Sequence, residues 1–159
     1  MFSKPSIEEI RKELNALSNY EAVLFGSYVT GEFRIGSDID VAVITRLRDL
    51  HKNLEIQKSL IGKFRQVYDV RVFELLPIKI KASIFSNYFV LFGDELEISE
   101  YFYWWRKIWE DVKHRISYHS SYEEKLKAIE RGKRLEEIEE VLITLVSRFF
   151  VKRRSDICV

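Results

Sequence analysis

The stretch that decides the fold is VLFGSYVTGEFRIGSDIDVAVIT, Val23 to Thr45. Two apolar runs flank a loop rich in glycine and serine, which reads as strand, turn, strand. Alternate side chains of a strand share a face. Asp38, Asp40, Ala42 and Ile44 therefore lie on one side, and Ile39, Val41 and Val43 point into a core. Two carboxylates in phase are roughly 6.5–7 Å apart at the backbone, so their side chains can converge on a shared ion. Without a cation their like charges raise at least one pKa. A hard divalent ion such as Mg²⁺ removes that penalty and prefers oxygen ligands. One aspartate at a strand start is explained by turn chemistry, and Gly36-Ser37 supplies that setting for Asp38. Asp40 has left the turn and needs another reason.

Gly26-Ser27 closes the first run. A glycine there lets the backbone turn sharply and approach a ligand. Ser27 then opens a short helical segment, whose free N–H groups suit a phosphate. The pattern thus places a phosphate cradle at one end of a loop and a metal-binding pair at the other.

The chain has 159 residues, 47% apolar and 32% charged, enough to bury a core. Net charge is +1, which makes no electrostatic case for a nucleic-acid binder. Cys158 is the only cysteine, so no intrachain disulfide forms, and a reducing, cytoplasmic setting is expected. No segment reaches the roughly 18 apolar residues of a membrane span. His51, His114 and His119 lack metal-ligand spacing.

Ser6 and Glu9 form a capping box ahead of Ile7, Ile10, Leu14 and Leu17, a first amphipathic helix. Residues 46–64 read as a second helix, with Leu47, Leu50, Leu54, Ile61 and Phe64 on one side and Gln57 interrupting. QVYDVRVFEL is a third strand, Pro77 opens a helix to about Phe85, and YFVLFG is a fourth strand. After Asp94, Ile98, Tyr101, Phe102, Trp105, Ile108, Trp109 and Val112 form a wide helical stripe. A second long helix is expected from about Tyr122 to Val151. The expected architecture is an α+β fold of α/β character. A small mixed sheet with flanking helices fills residues 1–94, and a C-terminal helical pair fills residues 95–159. Tyr103 and Trp104 lie off the main stripe. Packing on the first domain and an interface with another chain account for them equally well.

Gly26-Ser27, ten intervening residues and Asp38-Ile39-Asp40 resemble the signature of the DNA polymerase β-like nucleotidyltransferase superfamily, in its minimal form. Gly31 and Ser37 add to the resemblance, which covers about Glu21 to Gly93. The family uses a third acid on the neighbouring strand, for which this chain offers Asp69 and Glu74. Val70 and Val72 look like the core face, which favours Asp69 and leaves Glu74 as a strand-end or loop contact. The resemblance implies a two-metal site of Asp38, Asp40 and Asp69 holding Mg²⁺ or Mn²⁺. Gly26 and Ser27 would hold the phosphates of a nucleoside triphosphate, with ATP the expected donor. The implied reaction moves a nucleoside monophosphate onto a hydroxyl of a protein, an RNA end or a small molecule.

Many relatives carry basic residues just after the Gly-Ser. Tyr28 and Thr30 stand there in this chain, and Arg34 in the loop is the candidate replacement. Minimal relatives often pair with a small helical protein, in some cases as toxin and antitoxin. The resemblance therefore allows a helical partner or a second copy at the C-terminal helices. A catalytically weak nucleotide-binding module is the alternative.

Overall fold

The computed structural model describes residues 4–116 and 141–144. They fall in two compact units, the first ending at Arg106 and the second starting at Lys107. The long helix expected from Tyr122 to Val151 lies almost wholly outside the described residues.

Helix α1, Ile7–Glu13, starts at the capping box. Ser6 Oγ accepts from the Glu9 amide, and the Glu9 carboxylate accepts from the Ser6 amide. A 3₁₀ turn carries Leu17 into the core, and β1 follows at Glu21–Phe25. The short helix α2 is Ser27–Thr30, and β2 is Ile39–Ile44. Helix α3, Leu50–Leu60, precedes β3 at Tyr68–Val72; α4, Ile78–Ser86, precedes β4 at Phe89–Phe92. Helix α5 is Glu95–Val112. No helix of the described residues is long and apolar enough to cross a membrane.

The sheet order is β3-β2-β1-β4. β1 is antiparallel to β2 and β4, while β2 and β3 run parallel. This is the expected small mixed sheet. Its two faces follow the alternation read from the sequence. Ile39, Val41 and Val43 of β2 join Ala22 and Leu24 of β1, Val70 and Val72 of β3, and Ile10, Leu14, Leu17 and Leu60 of the helices in one core cluster. Asp40, Ala42 and Ile44 share the opposite face, where Ala42 and Ile44 are buried and Asp40 is only half-buried. Ile98, Tyr101, Phe102 and Trp105 of α5 are buried as their spacing predicts. Phe73 sits among them, 5.1 Å from Phe102 and 5.7 Å from Trp105 between ring centroids. Tyr103 is half exposed and meets Trp104 edge-on.

Helix α3 departs from the expected face. Leu50 and Leu54, with Leu47 before the helix and Ile61 after it, are 55%, 39%, 38% and 69% exposed. The inward face carries Asn53 and Leu60. Asn53 accepts from the Thr45 hydroxyl and donates to the Leu47 carbonyl. Gln57 donates to the Val70 carbonyl (3.1 Å) and accepts from the Val72 amide (2.7 Å). Strand β3 is a sheet edge, whose unpaired backbone groups need partners. One glutamine amide supplies both, as a neighbouring strand would. The residue that interrupts the apolar stripe is the one that seals the edge.

Candidate active site

The site end of the sheet gathers the end of β1 and the starts of β2 and β3. Asp40 pairs in register with Phe25 of β1 and with Asp69 of β3. Adjacent strands are about 4.8 Å apart, so the two aspartates are direct neighbours across the parallel pair. Asp38 precedes β2 by one residue and is exposed.

The chain leaves β1 through Gly26, with φ +69° and ψ −152°, a region only glycine adopts without strain. Its Cα lies close against the Asp40 carboxylate. A Cβ at position 26 would sit 2.3 Å from Asp40 Oδ2. The Gly26 carbonyl accepts from the Val29 and Thr30 amides, both at 3.1 Å, and folds residues 27–30 into one tight turn. Gly31, at φ +85°, ends it. Gly26 therefore brings Ser27 and its turn beside the carboxylate of Asp40.

The turn is clasped from outside. Tyr28 is buried, and its hydroxyl donates to the Pro5 carbonyl at 2.6 Å. Lys4 donates to the Tyr28 carbonyl at 2.9 Å, and its ammonium stands 4.1 Å from the Tyr28 ring centre. By its position after the Gly-Ser, Tyr28 stands where a basic residue is expected. It holds a lysine from the N-terminal segment instead, a long-range pairing that no local spacing signals.

Burial raises the Asp40 carboxyl above its ordinary value, and the charges of Asp69 and Asp38 raise it further; Arg71 acts in the opposite direction. Asp69 is held by Arg71. Nε donates at 3.0 Å to each oxygen and Nη2 lies 2.9 Å from Oδ2. Glu74 is elsewhere. Its carboxylate accepts from the Thr45 amide (3.1 Å), the Arg46 amide (2.8 Å) and the Tyr101 hydroxyl (3.1 Å) at the far end of β2. It lies in the 3₁₀ turn Phe73–Leu75 that follows β3. Arg34 is exposed in the loop, and its amide and carbonyl close the turn with Ser37.

The donor set suits a hard cation: three carboxylates at adjoining strand ends, two of them cross-strand partners. Among the described residues, no three His, Cys, Asp or Glu side chains already converge on one point. Both Asp69 oxygens are engaged by Arg71.

Beside Asp69 a groove of about 490 Å³ follows the outer edge of β3. Its walls include Leu60, Ile61, Phe64, Leu75 and Leu76, together with Asp69 and Arg71.

A family model described as a nucleotidyltransferase domain matches residues 7–157. The chain belongs to the nucleotidyltransferase family. It fits the DNA polymerase β-like superfamily suggested by its motif. It is 46% identical over 94 residues to a Methanocaldococcus jannaschii protein named as a candidate protein adenylyltransferase, covering 59% of this chain and 72% of that one. Two solved structures share this fold. A toxin–antitoxin with AMP-PNP aligns at TM-score 0.52 and 18% identity, over 66% of this chain and 90% of that one. A mutant of the MntA–HpeT toxin–antitoxin aligns at TM-score 0.52 and 17% identity, over 70% and 92%.

Proposed function

We propose that this nucleotidyltransferase is a divalent-metal-dependent adenylyltransferase that moves AMP from ATP onto a hydroxyl of a partner protein. The observation that carries the reading is the register pairing of Asp40 with Asp69, with Gly26 packed on Asp40. The name of the M. jannaschii relative supports the adenylyl group and the protein acceptor. The toxin–antitoxin neighbours, one with AMP-PNP, agree with a nucleotide and a protein partner.

In this reading residues 1–94 carry the chemistry and residues 95–159 are an extension. Asp38, Asp40 and Asp69 hold Mg²⁺ or Mn²⁺. Bound there, the metal offsets triphosphate charge and lowers the pKa of the acceptor hydroxyl. Ser27 and the amides of the turn after Gly26 bind the β and γ phosphates, and Arg34 adds positive charge from the loop. Asp69 takes the acceptor proton. For this Arg71 must release it. The Arg71 side chain is 57% exposed, so an ion pair of that kind exchanges for water at little cost. The hydroxyl oxygen bonds to the α phosphorus as the bond to the β-phosphate oxygen breaks, and pyrophosphate leaves. Alignment and charge compensation suffice for such a displacement.

The test is incubation of the full chain with α-labelled ATP, Mg²⁺ or Mn²⁺ and proteins of the native cell. Label on one polypeptide, lost in Asp40→Asn and with γ-labelled ATP, is expected. Tight ATP binding with no transfer to any acceptor would establish the non-catalytic module instead.

A further inference from the structure

The surface that remains unexplained is the outer face of α3. Leu50 and Leu54 of α3, Leu47 before it and Ile61 after it are exposed at helical spacing, and Ile61 also lines the groove. A contiguous exposed apolar surface of this kind marks an interaction site. We infer that this stripe and groove are the docking surface for the acceptor polypeptide, and that the partner's matching surface is apolar with an acidic rim. The inference rests on the adenylyltransferase reading only in naming the partner as the acceptor.

Three observations select this occupant. The first is charge. The segment from Arg46 to Arg65 holds six basic side chains against Asp49 and Glu55; Arg46 pairs with Glu21 and Arg65 with Glu13, which leaves Arg48, Lys52, Lys58 and Lys63. Arg48, Lys52, Lys58 and Lys63 are all exposed. A cationic small molecule would be repelled there, and an acidic rim would be drawn in. The second is shape. A bilayer is flat, whereas this surface sinks into a groove with Asp69 in its wall.

The third is the backbone. The Val67 carbonyl accepts from Ile39 of β2, whereas the Val70 carbonyl and Val72 amide face Gln57. Residues 67, 69 and 71 therefore face β2, and residues 68, 70 and 72 face outward. Gln57 seals one end of that edge. The Tyr68 carbonyl and Val70 amide, on either side of Asp69, have no partner among the described residues. They are a ready seat for an incoming main chain. A polypeptide lying along the groove brings a side-chain hydroxyl to Asp69 from the side opposite β2.

The experiment places a photo-crosslinking benzoylphenylalanine at Leu54 of the full chain and irradiates it in native-cell extract. The expected adduct is with the same polypeptide that takes label from α-labelled ATP. Leu50→Glu with Lys58→Glu should reduce both capture and labelling at least tenfold while ATP affinity and thermal midpoint stay unchanged. Leu50→Ser serves if the double variant unfolds, and should weaken capture in the same sense. Adducts only with a second copy, with lipid, with nucleic acid or within the chain would overturn the inference. So would capture that ignores both variants, or labelling of a polypeptide that is never captured. Variant-sensitive capture of one acid-rimmed polypeptide without any label transfer would keep the docking surface and overturn the catalytic reading.

Discussion

Gly26→Ala separates two things that a glycine can do. The new Cβ would lie 2.3 Å from Asp40 Oδ2, so the carboxylate must retreat by about 1 Å to reach ordinary contact. The backbone at φ +69° and ψ −152° adds about 1–3 kcal/mol of strain. For a chain of this size that strain lowers the thermal midpoint by about 2–12 °C. A displacement of about 1 Å in a positioned group costs about 100-fold in rate. Gly31→Ala is the matched control. It also has a positive φ, +85°, but its Cβ meets nothing within 4 Å. It should lose about 1–2 kcal/mol of stability and keep its transfer rate within a few-fold. The assay is initial-rate label transfer from α-labelled ATP beside thermal unfolding of both variants. Equal loss of transfer in the two variants, or none in Gly26→Ala, would refute the claim that Gly26 serves Asp40.

Gln57→Ala removes both partners of the β3 edge, and should cost about 1–3 kcal/mol with faster hydrogen exchange at the Val72 amide in particular. Glu74→Ala strips the Thr45 and Arg46 amides and the Tyr101 hydroxyl of their acceptor, and should cost about 3–5 kcal/mol by urea unfolding with no selective effect on ATP affinity. Glu13 is held below its ordinary carboxyl value by the Tyr68 hydroxyl and then by Arg65. Its stabilisation is therefore complete above the ordinary glutamate range and lost as pH falls through the lowered folded value. Tyr68→Phe should flatten that acid limb in urea midpoints measured from about pH 6 to about pH 3.

The sheet was legible because β2 alternates cleanly. Ile39, Val41 and Val43 announced one face, and Asp38 and Asp40 marked the other. The capping box at Ser6 and Glu9 was readable because it is local spacing alone, and the stripe from Ile98 to Val112 because its spacing coincides with burial. Helix α3 misled because apolar periodicity takes no account of backbone needs. Its leucines face solvent, while Asn53 and Gln57 turn inward to satisfy Thr45, Leu47 and the edge of β3. The preference for Asp69 over Glu74 as the third acid came from strand parity. Arg71 stands two residues from Asp69 on the same strand face, so their pairing follows from alternation, whereas the Lys4–Tyr28 clasp depends on side-chain reach, which spacing does not encode.

The central claim is that Asp38, Asp40 and Asp69 form one divalent-ion site beside a bound triphosphate. Electron paramagnetic resonance of Mn²⁺ titrated with the full chain and a non-hydrolysable ATP analogue tests it directly. The account predicts a bound-ion population that falls at least tenfold in affinity in Asp40→Asn and in Asp69→Asn. Unchanged Mn²⁺ affinity in both variants would contradict it.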